Sequence, residues 1–221
     1  MLSLFSSPWL LVVLLLATGA AAVSAADESA SPAAGSPPPA PAGYRWQAIP
    51  ELTDEFDGPA LDGTKWMPKC PYWKGREPSQ HDPANVSVKD GLLLLRNTTR
   101  VTTPDGIKNP EKDVWVQAAC VASLKPIASY GYYAARMKAS KLSMTSSFWF
   151  QGKHSEIDVV EELGASIENP ANDKRMLMNT HFFSGGWNND KATPKSWQMP
   201  TGSADTFHVY GAWWKDENTV W

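Results

Sequence analysis

Four carboxylates fall within seven residues of the stretch Ser155-Glu156-Ile157-Asp158-Val159-Val160-Glu161-Glu162-Leu163. The residues between them are β-branched, the type that favours strands. On a regular strand Glu156, Asp158, Val160 and Glu162 share one face, while Ile157, Val159 and Glu161 share the other. One extra residue bulging out after Asp158 would change that parity. It would bring Glu161, in place of Glu162, into line with Glu156 and Asp158. Three acids in a row repel one another, which raises some of their pKa values and separates their roles. Glycoside cleavage with retention needs such a pair: one carboxylate attacks the anomeric carbon and another protonates the leaving oxygen. The plain alternative is a solvated acidic face. Against it stands Ser147-Phe148-Trp149-Phe150, an apolar run joined to the acids by only Gln151-Gly152-Lys153 and His154.

The motif order carries more information than the acids alone. Tyr130-Gly131-Tyr132-Tyr133-Ala134-Ala135-Arg136-Met137-Lys138 comes first, then Ser147-Phe148-Trp149-Phe150, then Glu156-Ile157-Asp158-Val159-Val160-Glu161. This series resembles glycoside hydrolase family 16, over about residues 44 to 221. The form with the extra residue resembles the agarase, porphyranase and carrageenase branches; the lichenase type has one residue fewer. The resemblance implies an all-β jelly-roll β-sandwich with a concave substrate groove. It implies Glu156 as nucleophile, Glu161 as acid/base with a raised pKa, and Asp158 between them, hydrogen-bonded to Glu156. The rival register, with Glu162 inward in place of Glu161, stays open.

The resemblance also implies that Trp149 faces the sugar beside the scissile bond. Phe148 and Phe150 alternate with it, so a core position is the competing reading. His181 would bind substrate from the next strand, although a lone His on an apolar strand is commonly a structural residue. Pro71-Tyr72-Trp73-Lys74-Gly75-Arg76-Glu77-Pro78 has little strand character. In agarase-like relatives such a loop reaches the groove. Trp73 would stack on a sugar and Arg76 would offer fork-shaped hydrogen bonds to hydroxyls or a sulfate. A surface loop packed by its own aromatics fits the same residues.

The chain has 221 residues, room for one domain of ordinary size, and a net charge of −3, which implies no attraction to nucleic acid or anionic membranes. Residues 1–25 read as an export signal. Trp9 to Ala17 is an apolar core too short to span a bilayer, and Val23-Ser24-Ala25 fits a cleavage site. The absence of Lys or Arg before the apolar core leaves an uncleaved anchor as the alternative. Residues 26–43 are rich in Pro, Ala and Ser and read as an extended tether. The catalytic domain would then run from 44 to 221, in the secreted or periplasmic space, as a monomer acting on a polysaccharide. Export permits a disulfide between Cys70 and Cys120, the two cysteines, but spacing does not settle it. His81, His154, His181 and His208 stand apart and no Cys-x-x-Cys occurs, so no metal cluster and no cofactor are expected. A structural calcium is not readable.

The remaining chain alternates short strand-like runs with turns. Asn85 to Arg96 reads as a hairpin about Asp90-Gly91. Phe56 reads as core. Strands are expected over 114–121, 132–138, 146–150, 177–183, 207–214 and from 219, with no amphipathic helix of useful length. Relatives continue past the position of Trp221, so missing C-terminal strands and unpaired sheet edges are also expected. The function that follows is an endo-acting retaining hydrolase of red-algal β-galactans, with β-agarase placed first. Porphyranase is the nearest rival; carrageenase, laminarinase, a transglycosylase and a non-catalytic sugar-binding jelly roll complete the field.

Overall fold

The computed structural model describes residues 35–101, 113–166 and 168–221. The export-signal reading therefore lies outside the described residues. The strands in chain order are β1 (Trp66–Met67), β2 (Ser79–His81), β3 (Val86–Lys89), β4 (Leu92–Leu95) and β5 (Thr98–Thr99). Next come β6 (Val116–Ala118), β7 (Ala122–Ser123), β8 (Gly131–Met137), β9 (Thr145–Gln151) and β10 (Ser155–Leu163). The series closes with β11 (Arg175–Phe182), β12 (Lys191–Ala192), β13 (Lys195–Gln198), β14 (His208–Asp216) and β15 (Thr219–Val220). Short 3₁₀ turns such as Pro83–Asn85 join some of them.

Two antiparallel sheets make the sandwich. One runs β12-β11-β10-β9, with β13 also paired to β11; the other runs β15-β14-β8. Alternation sends every second side chain of each sheet into the space between them. Phe148, Phe150, Ile157, Val159 and Val160 come from the first sheet, and Tyr133, Ala135, Tyr210 and Ala212 from the second, to form one core. The Tyr133 and Phe150 rings meet edge to face at 4.8 Å. Phe56 joins the same core, 6.2 Å from the Trp66 ring. The fold is the all-β sandwich expected.

The hairpin is β3–β4, paired Val86 to Leu95 and Lys89 to Leu92. Asp90 and Gly91 both take positive φ, +55° and +72°, as a tight primed turn requires. The 114–121 run yields only three residues of strand, Val116–Ala118, held parallel to β2 and antiparallel to β5. Single-sequence alternation could not show this parallel pairing. The described part of the Pro-rich segment touches the domain at two points. The Trp46 indole donates to the Pro38 carbonyl at 2.7 Å, and a Cβ at Gly35 would lie 3.5 Å from Val209. At the other end, Trp221 and Trp213 exchange backbone hydrogen bonds of 3.0 and 2.8 Å, so the expected loss of strand partners finds no support at that pairing. Among the described residues no helix is long and apolar enough to cross a membrane.

Candidate active site

The acidic strand carries a one-residue bulge after Asp158. Against β9, Asp158 pairs with Trp149 and Val160 with Phe148, so Val159 has no opposite number. Against β11, Asp158 pairs with Asn179 and Glu161 with Leu177, the same one-residue shift. Two consecutive valines serve the bulge: Val159 is 4% exposed and Val160 is fully buried. Burying each contributes roughly 1.5–3 kcal/mol, which offsets the ladder hydrogen bonds that the bulge disrupts. Directly opposed residues point to the same face, so Glu156, Asp158 and Glu161 share theirs with Gln151, Trp149 and Ser147 on one side. On the other side the row meets His181, Asn179 and Leu177.

Glu162 turns the other way, into the core, and is fully buried. Its neighbours there are Tyr210 and Ser203, yet neither carboxylate oxygen closes a hydrogen bond of full geometry, nor does either hydroxyl. Burial pushes the Glu162 carboxyl up to about 7, against a smaller pull from Tyr210 and Ser203. The rival register, with Glu162 in the groove, is therefore not the one adopted.

His181 stands beside the row, with a carboxylate on each ring nitrogen. Its Nδ1 lies 2.6 Å from Asp190 Oδ2 and its Nε2 lies 3.3 Å from Asp158 Oδ2. Burial works against the imidazolium, but the hydrogen bond and charge of Asp190, then the charges of Asp158 and Glu156, outweigh it and raise the pKa. Asn179 sits 2.8 Å from Nε2 through its amide, and its buried Oδ1 has no partner among the described residues. With the amide oxygen turned to the ring, it would accept from a protonated Nε2. Asp158 is 6% exposed, and its carboxyl is raised by burial and then by Glu156 and Glu161. Burial also raises Glu156, with Glu161 and Asp190 adding to it and His181 and Arg76 opposing. A neutral Asp158 beside an ionised Glu156 can donate to it. Ligand atoms of Glu156, Asp158 and His181 lie within 4.8 Å of one another, close enough to hold a cation.

The Asp190→Asn variant tests the source of the His181 charge. Its removal should move the His181 titration to lower pH, read from the imidazole proton shifts. A midpoint that stays in place would show that Asp190 does not hold the proton.

Trp149 lies on the groove face, opposite Asp158, while Phe148 and Phe150 go to the core. Trp73 reaches it from the 71–78 loop: the two indoles meet edge to face at 6.3 Å. That loop is pinned by main-chain bonds. His81 N donates to Lys74 O at 2.7 Å, Ser79 N to Arg76 O at 2.8 Å, and Trp115 N to Pro78 O at 3.1 Å. Gly75 sits at φ +114°, where a Cβ would press to 3.0 Å on Ser79 O, so the turn needs glycine. Arg76 is exposed, within electrostatic reach of Glu156. Glu156, Asp158, Glu161, Trp149 and His181 share one face of the sheet, and Trp73 packs against Trp149 at its edge. Cys70 and Cys120 are free thiols, and burial raises Cys120 to about 11. Asp190 and Asn179 escaped the sequence reading. Asp190 follows a Gly-Gly-Trp-Asn-Asn loop that gives no hint of the histidine it will meet.

A two-sheet all-β sandwich with a bulged acid row, a histidine at its side and indoles at its edge defines a sugar-processing type of site. The match to known proteins agrees. The model of the β-porphyranase A–D GH16 domain matches residues 46–221. β-Porphyranase B of Phocaeicola plebeius is 36% identical over 212 residues, covering 82% of this chain and 66% of that protein. β-Porphyranase E of Zobellia galactanivorans is 35% identical over 194 residues, covering 81% and 67%. The crystal structure of the β-porphyranase BpGH16B from the human gut bacterium Bacteroides plebeius superposes with a TM-score of 0.67 at 36% identity, over 83% of this chain and 72% of that one. The chain belongs to glycoside hydrolase family 16, in its porphyranase and agarase branch. It spans about two thirds of the length of these two curated relatives.

Proposed function

We propose that this chain is the catalytic part of a secreted, endo-acting, retaining glycoside hydrolase that cleaves β-linked red-algal galactans, with the sulfated galactan porphyran as its substrate. The observation that carries the reading is the bulge, which sets Glu156, Asp158 and Glu161 on one face. The family match favours porphyran over agarose, which the sequence alone had placed first.

Glu156, ionised, attacks the anomeric carbon while Glu161 gives its proton to the departing glycosidic oxygen. The covalent glycosyl-enzyme is then released when Glu161 takes a proton from water, which attacks the same carbon from the other side. Two inversions give net retention. The two carboxyls must come within about 5–5.5 Å of each other, and long glutamate side chains at the ends of the row can lean together over the shorter Asp158. Asp158, kept neutral, donates to Glu156 and limits the repulsion. Trp149 and Trp73 supply apolar faces for sugar rings. Arg76 supplies a guanidinium for a sulfate.

Reducing-end release from purified porphyran and from agarose tests this. Porphyran should be cleaved faster, and Arg76→Ala should raise KM on porphyran roughly tenfold, as expected for one lost charged hydrogen bond. Cleavage of agarose alone would return the enzyme to the agarase reading. Tight retention on a galactan gel with no release from either substrate would make it a binding module.

A further inference from the structure

The loop that joins β11 to β12 carries an indole that the mechanism above leaves unused. Trp187 is 54% exposed. It lies flat on Phe183, with ring centroids 4.1 Å apart and planes 23° apart. Phe183 beneath it is buried. The indole is therefore covered on its Phe183 side and open to solvent elsewhere. The His181 ring stands 6.1 Å from it, at 64°. His181 lies opposite Glu156 on the groove face, 3.3 Å from Asp158. Trp187 thus stands beside the acid row. Its loop holds it there. Trp187–Asn189 forms one 3₁₀ turn. Gly186 N donates to Phe183 O at 2.9 Å, Asn189 N to Gly186 O at 3.0 Å and Asp190 N to Trp187 O at 3.2 Å. The turn ends on Asp190, which meets His181 Nδ1 at 2.6 Å. An aromatic ring fixed in this way loses little freedom when a ligand lands on it.

Covering Phe183 takes only apolar volume, which a leucine would supply. An indole adds a flat face, and the C–H bonds of a sugar ring stack on such a face. Galactose suits it, because its axial 4-hydroxyl leaves one side of the ring lined mainly by C–H bonds. A charged sulfate does not. Position points the same way. The acid strand β10 runs between β9 and β11. Trp149, with Trp73 packed on it, stands on the β9 side of the row. Trp187 stands on the β11 side, against His181. Neighbouring strands lie about 4.8 Å apart, so a polysaccharide crossing the row travels about 10 Å from one aromatic wall to the other. Trp197 is equally open, at 56%, but pairs with Met176, which pairs with the buried Glu162. Its side chain belongs to the other face of the sheet.

We propose that Trp187 is a substrate-positioning residue: its open indole stacks on one unsulfated galactose ring on the β11 side of the acid row, across from Trp149 and Trp73. The assignment rests on the galactan reading above. The polysaccharide is then gripped on both sides of the bond to be cut.

Kinetics on porphyran, together with calorimetric titration of the Glu156→Gln protein with porphyran oligosaccharides, test this. Trp187→Ala should raise KM and weaken oligosaccharide binding roughly tenfold, the size of one aromatic contact, with kcat little changed. Trp187→Phe keeps a flat ring and should recover most of the affinity. Trp187→Leu separates the two roles of the side chain. It keeps Phe183 covered, so its melting temperature should match that of Trp187→Phe, yet its affinity should stay as low as that of Trp187→Ala. It also serves where Trp187→Ala fails to fold. Trp197→Ala, on the other face, should bind as the parent does. The pH profile of kcat should stay in place in all of them, because His181 keeps its two carboxylates. Full affinity in Trp187→Leu, or an equal loss in Trp197→Ala, would overturn the stacking role. A shifted pH profile with unchanged KM would assign Trp187 to the support of His181 and overturn it as well. A Glu156→Gln parent that binds neither porphyran nor agarose oligosaccharides would overturn the galactan reading itself. A parent that binds them, and binds equally well with Trp187→Leu added, would overturn only the stacking role.

Discussion

Glu156→Gln is expected to lower kcat on porphyran by about 10⁴-fold or more, close to 5.5 kcal/mol of transition-state stabilisation, with little change in KM. The amide has nearly the shape of the carboxylate and leaves the row intact. It cannot attack the anomeric carbon, so what disappears is an interaction made only in the transition state. Glu156→Ala adds a second reading. It opens a space beside the anomeric carbon, and a small external nucleophile such as azide can enter it. On a substrate with a good leaving group, azide should restore part of the rate and give a glycosyl azide of inverted configuration. A Glu156→Gln enzyme that keeps more than a few per cent of its kcat would remove Glu156 as nucleophile. An azide product of retained configuration would remove the double-displacement route.

The second large effect separates two adjacent glutamates. Glu161→Gln should reduce kcat by roughly 10²–10⁴-fold, the range for loss of a general acid/base. Glu162→Gln should leave kcat near its starting value, because Glu162 is fully buried in the core. Its effect should appear in stability. The folded-state pKa of Glu162 stands at about 7, above the ordinary value of 4.5. Between those values the folded chain holds a proton that the unfolded chain has lost. The stability that Glu162 contributes is therefore fully present below about pH 4.5 and declines as pH rises to about 7. By pH 8 the difference amounts to about 3 kcal/mol. Glu162→Gln never ionises, so the decline should shrink by that amount, and its melting temperature at pH 8 should exceed that of the wild type by several degrees. At pH 4 the two should melt together. The raised carboxyls of Glu156 and Asp158 add a decline of the same sign, which is why the difference between wild type and Glu162→Gln is the quantity to measure. Equal melting temperatures at pH 8 would show that Glu162 is not a buried, protonated acid. Loss of turnover in Glu162→Gln with turnover kept in Glu161→Gln would reverse the register.

Much of this architecture is legible in local chemistry. Asp90-Gly91 between two runs of alternating residues marks a hairpin because both positions accept positive φ at low steric cost. Phe148 and Phe150 alternate about Trp149, so two go to the core and one to the groove. Pairing over longer range is harder to see. The three residues of β6 sit between a parallel and an antiparallel neighbour, and nothing in Val116-Gln117-Ala118 names either. Likewise, residues 26–43 are compositionally a tether, yet the Pro38 carbonyl accepts from the Trp46 indole.

The amino-acid order alone determined that acids and β-branched residues would alternate, and that a bulge after Asp158 would put three of the four carboxylates on one side. A pleated strand has a period of two residues, and that rule is local. Only the tertiary structure decided that the bulge forms, because parity is set by the partners, Phe148 and Trp149 on one side and Leu177 and Asn179 on the other. It also decided that the His181 pKa is raised. That depends on a carboxylate nine residues away, brought to 2.6 Å by a loop whose sequence carries no record of the meeting. Electrostatic energy follows distance in space, and distance in space is what the chain acquires only when its sheets have closed.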